Sequence, residues 1–331
     1  MLAEFDLIRR YFMSPQEAQA TDGVALGCGD DATLLVPQAG QQLAVSVDTS
    51  VVDVHFPHDA PAYAIGHRGL AVALSDLAAM GAQSRWCLMA ITLDQRAFKD
   101  DTAAEQWLAD YASGFHTLCQ QHATTLAGGD VTSGALSISV TVMGEVPTGT
   151  AITRSGAQVG DVVAVTGALG GGAGGLALWQ QGERDLKNPL LQRYLLPQPR
   201  LKAGIALRGL ATAAMDISDG LLADLAHLRE ASQVGVALQP DSLPLAEGLA
   251  EVLGSEAALT AALSGGDDYE LLVTLPPSKV AQAQMQLAEL GLSLSIIGRC
   301  TEALGVAGVP VEGATGWQPF HDLDAAPHLS P

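Results

Sequence analysis

Acidic residues recur in six short motifs along this chain, most of them directly after glycine or at the end of an apolar run. The carboxylates concerned are those of Asp31, Asp48, Asp76, Asp130, Asp216, Asp219 and Asp267. Two carboxylates about 4 Å apart repel each other by about 4 kcal/mol at an effective dielectric constant near 20. A fold that gathers several of them needs cations of high charge, and oxygen ligands of this kind suit magnesium. The motifs therefore predict a site for magnesium that carries a nucleotide.

The surroundings of each motif decide how strongly it argues for a ligand. Asp48 follows a nearly apolar strand pattern, where an unpaired carboxylate is costly to bury. Asp76 lies on the apolar stripe of a helical segment, and no basic residue stands within four positions of it. Ser218 with Asp219 fits an ordinary helix N-cap equally well. Asp48, Asp76 and Asp130 are therefore the hardest to explain without a bound cation.

Other features have two interpretations each. The glycine-rich run 167–175 follows a strand pattern and opens a helix, so it favours either a phosphate at the helix N-terminus or a loop that packs closely on the ligand. Arg154 either holds phosphate or is a surface arginine. His55 either contacts the substrate or is a solvated loop residue. Asp30 and Asp268 are turn residues beside the ligands in the simplest interpretation.

Alternating apolar residues predict the elements that position the first motifs. The predicted strands cover 42–47, 86–93, 124–127 and 136–143, and the predicted helices cover 62–80 and about 102–121. This order gives a β-α-β unit in which helices cover one face of the sheet.

Pro147 and Gly149 interrupt the pattern, which predicts a domain boundary near residue 148 and hence domains 1–148 and 149–331. The second half has predicted strands near 161–166, 234–238, 269–275 and 292–297, and predicted helices near 174–181, 200–208, 220–231 and 277–290. Both halves are therefore assigned to the α/β class. Because open α/β sheets bind ligands at the carboxyl ends of their strands, we expect Asp48, Asp130 and Asp216 to stand at strand ends.

Composition excludes several function classes. Sixteen basic and 36 acidic residues give a formal charge of -20, which disfavours nucleic acid and anionic lipid as partners. No run of about 18 apolar residues is present, so no membrane span is expected. The four cysteines lack the spacing of a metal or redox site, and the N-terminal segment does not resemble a signal peptide. These features predict a cytoplasmic location.

Eight motifs follow one another in an order and spacing that resemble the thiamine-monophosphate kinase family over nearly the whole chain. They are Gly-x-Gly-Asp-Asp (27–31), Ser-x-Asp-Thr (46–49), His-Phe (55–56), Leu-Ser-Asp-Leu-Ala-Ala-Met-Gly-Ala (74–82), Gly-Gly-Asp (128–130), Ile-Thr-Arg-Ser-Gly (152–156), Asp-x-Ser-Asp-Gly-Leu (216–221) and Ser-Gly-Gly-x-Asp-Tyr-Glu-Leu (264–271).

The resemblance implies the fold and activity of the aminoimidazole ribonucleotide synthetase superfamily. These enzymes have two α/β domains, and their N-terminal domain binds ATP and magnesium and dimerises through its mixed sheet. The C-terminal domain completes the nucleotide and substrate site. The implied reaction is transfer of the ATP γ-phosphoryl group to thiamine monophosphate, with ATP as co-substrate and several Mg²⁺ ions, in a homodimer. The acceptor is an already ionised phosphate oxygen, so direct in-line transfer needs no general base.

The resemblance also implies a role for individual residues. The magnesium positions correspond to Asp31, Ser46, Val47, Asp48, Asp76, Asp130, Asp216 and Asp219. The ATP contacts correspond to Tyr111, Gly129, Asp130, Arg154 and Ser218, and the thiamine contacts to His55, Asp267 and Phe320. Val47 replaces a threonine of some relatives, although its main-chain oxygen could still bind metal. Asp267 replaces a glutamate, and Trp317 is an alternative to Phe320.

Two other functions compete with this interpretation. Cys28 lies in a glycine-rich loop, as a selenophosphate synthetase-like enzyme would require, but Thr-Arg-Ser-Gly fits the thiamine enzyme better. A non-catalytic protein that binds divalent cations would explain the carboxylates but would give Arg154 and the Gly-Gly-Asp turn no purpose.

Overall fold

The structure is a computed structural model that describes residues 4–13 and 23–309. The elements of the first half are α1 (Glu4–Leu7), a π-helical turn (Ile8–Phe12), β1 (Val24–Leu26), β2 (Leu34–Leu35), β3 (Gln41–Val51), α2 (Ala62–Ala79), β4 (Gln83–Leu93), a 3-10 turn (Gln95–Ala97), α3 (Asp101–Gln121), β5 (Thr125–Ser133) and β6 (Ser137–Pro147).

The second half continues with shorter elements. They are β7 (Val162–Thr166), α4 (Gly171–Gln180), α5 (Pro189–Leu195), α6 (Leu201–Leu207), β8 (Ala213–Asp216), α7 (Leu221–Ser232), β9 (Gly235–Leu238), a 3-10 turn (Pro240–Ser242), α8 (Leu249–Leu253), α9 (Ser255–Ser264), β10 (Leu271–Leu275), a second 3-10 turn (Pro277–Lys279), α10 (Val280–Glu289), β11 (Leu294–Thr301) and β12 (Val306–Ala307).

The strands of each half form their own mixed sheet. The first has the order β3-β6-β4-β5, and the second has the order β12-β9-β11-β7-β10-β8. The predicted boundary near residue 148 falls in the segment that connects β6 to β7. The chain is therefore a mixed α/β protein with a two-domain fold, as the alternating patterns predicted.

The first sheet has one covered face and one open face. Side chains at even positions of β3, such as Ser46 and Asp48, point toward α2, whereas Leu43, Val45 and Val47 point the other way and are exposed. Because directly paired residues share a face, the register of β3, β6, β4 and β5 extends this division across the whole sheet.

Helix α2 is the central element of the fold. It packs against β3, β6 and α3 of the first half and against α5, α6 and β8 of the second half. Its neighbours approach closely through glycine: a Cβ atom on Gly66 would lie 2.1 Å from the Tyr111 carbonyl oxygen, and one on Gly204 would lie 1.9 Å from the Ala78 carbonyl oxygen. The apolar sequence of α2 is thus explained by burial on all sides rather than on one stripe.

Two strands are longer than their apolar patterns predicted, which corrects the expected positions of two motifs. Asp48 lies in the interior of β3 and Asp130 in the interior of β5, so neither marks the end of a strand. Asp216 does end β8, as expected. Pairing with a neighbouring strand keeps the backbone extended past the last alternating apolar residue.

No helix within residues 4–13 and 23–309 has the length and apolar character needed to cross a bilayer.

A half-buried imidazole directly after α3 makes the fold sensitive to acid. His122 lies near His67 and Lys202, and its Nε2 atom has no hydrogen-bond partner among the described residues. Burial and these two neighbours lower its pKa to about 4. Because the folded pKa is below the unfolded value, His122 contributes stability that is present above about pH 6.5 and lost as pH falls toward 4.

We expect His122→Gln to make the protein less sensitive to acid. Between pH 7.5 and pH 5, the free energy of unfolding should decrease by about 1 kcal/mol less than in the wild type, after allowance for partial exposure of the ring. Urea unfolding at the two pH values measures this difference. Gln120→Asn is the control, because it changes an exposed side chain of α3 and removes no titratable group. Equal pH dependence of wild type and His122→Gln would contradict the assignment.

Candidate active site

Three carboxylates from different elements meet where α2 passes between the two sheets. Ser46 Oγ donates to Asp76 Oδ2 at 2.5 Å, which joins β3 to α2. Asp48 lies two residues further on the same face of β3, and Asp216 ends β8, which packs against α2. The structure therefore brings together Ser46, Asp48, Asp76 and Asp216, four of the residues that the motifs assign to magnesium.

The electrostatics of this carboxylate cluster show that its charges are not compensated. Burial, and next the charge of Asp76, raise the pKa of Asp48 to about 6. Burial raises the pKa of Asp216 to about 7, with Asp76 as the largest neighbouring charge. No cation is among the groups that shift either pKa, so within the described residues the cluster lacks a positive partner.

Hard oxygen donors of this kind fit magnesium. Within residues 4–13 and 23–309, no three carboxylate, imidazole or thiol side chains already stand in metal-binding geometry. The uncompensated burial of Asp48 and Asp216 nevertheless describes a place where a divalent cation would lower the free energy of the fold.

A buried carboxylate that the sequence analysis missed holds the loop between β8 and α7. Asp224 Oδ2 accepts the main-chain N–H groups of Ser218 at 3.0 Å and Asp219 at 3.2 Å. Burial and the nearby Asp219 raise the pKa of Asp224 to about 7. Its signal in the sequence was an acidic residue in the first helical turn. Asp224 thus orients a predicted nucleotide contact, Ser218, and a predicted metal ligand, Asp219.

The same loop is joined by main-chain hydrogen bonds to the loop that carries Asp267. The Asp267 N–H donates to the Ser218 carbonyl at 2.7 Å, and the Tyr269 N–H donates to the Ile217 carbonyl at 2.8 Å. The predicted nucleotide contact and the predicted thiamine contact therefore lie on adjacent, paired segments.

Asp267 and His55 lie near one another at the other end of α2. Arg68 Nη2 donates to Asp267 Oδ1, and the charges of Arg68 and Asp267 both influence His55. Burial lowers the pKa of His55. His55 Nδ1 accepts the Val51 N–H at 3.0 Å, so the neutral ring carries its proton on Nε2 and can donate from there.

Asp31, Gly129 and Asp130 are not brought to the carboxylate cluster within one chain. Asp130 pairs with Ala90 of β4, which pairs with Ser139 of β6, and this row lies on the open face of the sheet. Asp48 lies on the covered face of the opposite edge strand. The Thr33 hydroxyl bonds the Ala127 carbonyl and thereby holds the loop that carries Asp31 against β5.

Gly129 is required by its close contact with β4. A Cβ atom on Gly129 would lie 2.0 Å from the Met89 carbonyl oxygen. Any larger residue would push β5 away from β4 and displace Asp130, which follows directly.

Arg154 and Val47 are predicted site residues whose side chains are exposed. Arg154 is exposed, and its charge lowers the pKa of Asp219, although burial has the larger effect and raises that pKa overall. The Val47 side chain is exposed on the open face of the first sheet. Phe320 and its alternative Trp317 lie outside the described residues.

The prediction that Tyr111 stacks on adenine is wrong for this structure, because its ring is fully buried in the core. Trp107 stacks on it with ring centroids 5.4 Å apart, and Phe115 lies 6.3 Å away in a nearly parallel orientation. Phe12 contacts its edge. Tyr111 therefore stabilises the packing of α3 and offers no face to a ligand.

Two N–H groups at the N-terminus of α4 are bonded to a carboxylate of the protein itself. Asp268 is buried, and its carboxylate accepts the Gly170 N–H at 2.9 Å and the Gly172 N–H at 3.4 Å. Of the two interpretations of the glycine-rich run, close packing is the one observed: a Cβ atom on Gly172 would lie 2.3 Å from the Asp267 carbonyl oxygen. The run thus packs against the loop that carries the predicted thiamine contact.

Comparisons with known proteins identify relatives of this chain and of its fold. A family model described as AIR synthase related protein, N-terminal domain, matches residues 29–146, and the model of the C-terminal domain matches residues 158–309. The chain is 41% identical to thiamine-monophosphate kinase of Escherichia coli K12 over 302 residues, which are 90% of each protein.

Solved structures are similar over most of the chain. The crystal structure of thiamine-monophosphate kinase from Stenotrophomonas maltophilia K279a has 44% identity and a TM-score of 0.84, and the match covers 92% of this chain and 96% of that one. The structure of AaThiL complexed with AMPPCP and TMP has 29% identity and a TM-score of 0.74, with 86% and 89% covered.

Proposed function

The chain belongs to the thiamine-monophosphate kinase family of AIR synthase related proteins, and from this premise we propose that it transfers the γ-phosphoryl group of ATP directly to thiamine monophosphate. The products are thiamine diphosphate and ADP. The observation that carries the proposal is the carboxylate cluster of Asp48, Asp76 and Asp216, in which Asp216 is buried, the other two are half-buried and no positive partner is present among the described residues. The complex of the related AaThiL with AMPPCP and TMP supports the choice of substrates.

The chain's residues position two anions rather than move a proton. We assign Asp31, Ser46, Val47, Asp48, Asp76, Asp130, Asp216 and Asp219 to magnesium, and Gly129, Asp130, Arg154 and Ser218 to ATP. Magnesium, when bound, would neutralise the phosphate oxygens of both substrates. The acceptor phosphate has a second pKa of about 6 and is therefore largely ionised at neutral pH. In-line transfer to it needs no general base.

The thiamine end of the acceptor is assigned to the opposite end of α2. His55 Nε2 can donate a hydrogen bond, and Asp267 lies beside it with one carboxylate oxygen engaged by Arg68. The Asp267 N–H donates a hydrogen bond to the Ser218 carbonyl, which places the acceptor contact directly beside the nucleotide contact. Phe320 belongs to the same assignment, although it lies outside the described residues.

We also propose a cytoplasmic homodimer that forms through the first sheet. Leu43, Val45 and Val47 expose apolar side chains on the open face of the edge strand β3, which is unusual for a surface in water. The other edge strand is β5, and a twofold arrangement that pairs β3 of one subunit with β5 of the other would protect both edges.

Such a dimer would complete the active site. Within one chain, Asp130 is separated from Asp48 by three strand spacings, about 14 Å, and faces the other side of the sheet. In the proposed dimer, Asp130 of the partner subunit would instead lie one strand spacing from β3, on the face of Val47, where it approaches the main chain between Val47 and Asp48. Asp31 of the partner subunit would lie near the same place, because the loop that carries Asp31 is held against β5.

The direct test is incubation of the protein with ATP, Mg²⁺ and thiamine monophosphate, with chromatographic detection of thiamine diphosphate and ADP in equal amounts. Omission of Mg²⁺ should abolish the product. Selenide-dependent ATP consumption without thiamine diphosphate would instead favour the selenophosphate synthetase-like alternative. Cation binding with no turnover of any nucleotide would favour the non-catalytic alternative.

A further inference from the structure

Arg68 is a buried cation of α2 that no motif of the sequence analysis included. Its side chain is only 4% exposed. Nη1 donates to the Tyr194 carbonyl and Nη2 donates to Asp267 Oδ1, both at 2.5 Å. The guanidinium carbon lies 5.3 Å from the ring centroid of Tyr194 and 5.8 Å from that of Tyr269. Arg68 thus connects α2 of the first half to two segments of the second half.

The fixed geometry of the guanidinium group matters for these contacts. Its two terminal nitrogens reach different partners at the same time, which a single ammonium group cannot do. The two tyrosine rings add cation–π attraction in a site from which water is excluded. Asp267 and the tyrosines outweigh burial and raise the pKa of Arg68, so it remains charged at any physiological pH.

Asp267 needs an external restraint to keep its position. Its φ angle is +63°, a left-handed conformation that is unfavourable for a residue with a side chain. Gly172 of α4 packs directly against the Asp267 backbone, and the Asp267 N–H donates a hydrogen bond to the Ser218 carbonyl. The backbone is thus fixed by neighbours in the second half. The carboxylate is 22% exposed and is held from the first half by Arg68, while the Tyr269 side chain also interacts with it.

We infer that Arg68 is a positioning residue for the phosphate acceptor: it holds Asp267 Oδ1 so that the exposed part of the carboxylate meets the bound acceptor near His55. This inference rests on the proposed function, because it concerns how the acceptor is held. It assigns Arg68 no contact with ATP. Loss of Arg68 releases the Asp267 carboxylate on the acceptor side. It leaves the carboxylate cluster of Asp48, Asp76 and Asp216 unchanged.

We expect Arg68→Met, which keeps most of the side-chain volume, to raise KM for thiamine monophosphate by at least about tenfold. KM for ATP should change by less than about threefold, and kcat should decrease only modestly. Arg68→Lys should give an intermediate acceptor KM, since an ammonium group can hold Asp267 or the Tyr194 carbonyl but not both. Initial rates with each substrate varied in turn measure these constants.

A double-mutant cycle tests whether Arg68 acts through Asp267. In an Asp267→Asn background, Arg68→Met should add less than about a twofold change in acceptor KM. The matched control is Arg184→Met, which breaks another ion pair between the halves, Arg184 to Asp59 at 3.0 Å, and should leave acceptor KM near the wild-type value. Equal effects of the two arginine variants would show general tethering of the halves and would overturn the inference.

The outcomes separate the inference from the proposed function. Wild-type protein that forms no thiamine diphosphate would refute the function itself. Wild-type turnover with an unchanged or lowered acceptor KM in Arg68→Met, or with a parallel rise of KM for ATP, would refute the role of Arg68 alone. If Arg68→Met does not fold, Arg68→Lys and Arg68→Gln carry the same comparison, and a wild-type acceptor KM in both would overturn the inference.

Discussion

Asp216→Asn should lower turnover by at least about a thousandfold and, in metal-free buffer at pH 8, make the protein more stable. The substitution keeps the shape of the side chain but removes one negative charge from the carboxylate cluster. Asp216 is buried, its pKa is raised to about 7, and its largest charged neighbour is Asp76. The wild-type fold therefore tolerates repulsion at this position, and its removal should raise the free energy of unfolding by about 1–2 kcal/mol.

Stability and turnover are measured on the same preparations. Thermal unfolding is followed with EDTA and with added MgCl₂, and the stabilisation that magnesium gives the wild type should largely disappear in Asp216→Asn. Asp161→Asn is the matched control, because Asp161 is a buried aspartate whose charge is satisfied by Thr212 Oγ1 at 2.7 Å and the Gln158 N–H at 2.9 Å. That variant should lose stability and keep turnover. A destabilised or fully active Asp216→Asn would remove Asp216 from the proposed metal site.

Mixing two inactive variants should restore activity. Asp130→Asn and Asp216→Asn are each expected to be nearly inactive as homodimers. If each site combines the carboxylate cluster of one subunit with Asp130 of the partner subunit, a heterodimer of the two variants has one intact site and one doubly altered site. With random assembly half of the dimers are mixed, so the mixture should reach about a quarter of wild-type activity.

Coexpression of the two variants with different affinity tags allows the mixed dimer to be isolated and assayed. The matched control is the pair Asp76→Asn and Asp216→Asn, whose alterations lie in the same cluster, so that neither site of the mixed dimer is intact. An isolated Asp130→Asn/Asp216→Asn dimer without activity would place Asp130 in the site of its own chain and contradict the shared arrangement.

The sequence predicted the elements better than the faces on which they present their residues. The helix expected over 62–80 is α2, and the strand expected over 136–143 is part of β6. The sequence could not predict that Asp48 and Asp130 lie on opposite faces of the first sheet, because this depends on the register in which the strands pair. For the same reason the motifs were expected to converge in one chain, whereas the structure divides them between the two faces of the first sheet.

Two misassigned or missed residues had signals of different strength. One helix carries aromatic residues at a spacing of four, Trp107, Tyr111 and Phe115, and this spacing is typical of a buried stripe. It was a stronger signal for Tyr111 than the family resemblance that assigned this residue to adenine. Arg68 was a single basic residue in an apolar helix, which indicates a buried partner but not which one. Asp267 lies 199 positions away in sequence, so only the fold could identify it.

The length of α2 has a consequence for which acceptors the protein can accept. Arg68 and Asp76 are eight positions apart, which corresponds to about 12 Å along the helix axis. One end of this interval adjoins the proposed ring contacts and the other adjoins the carboxylate cluster. Under the proposed function, the helix would therefore select acceptors by the distance between their ring and their phosphate. Lengthening that span by even one methylene would displace the phosphate from the line of transfer, whatever functional groups the ring carries.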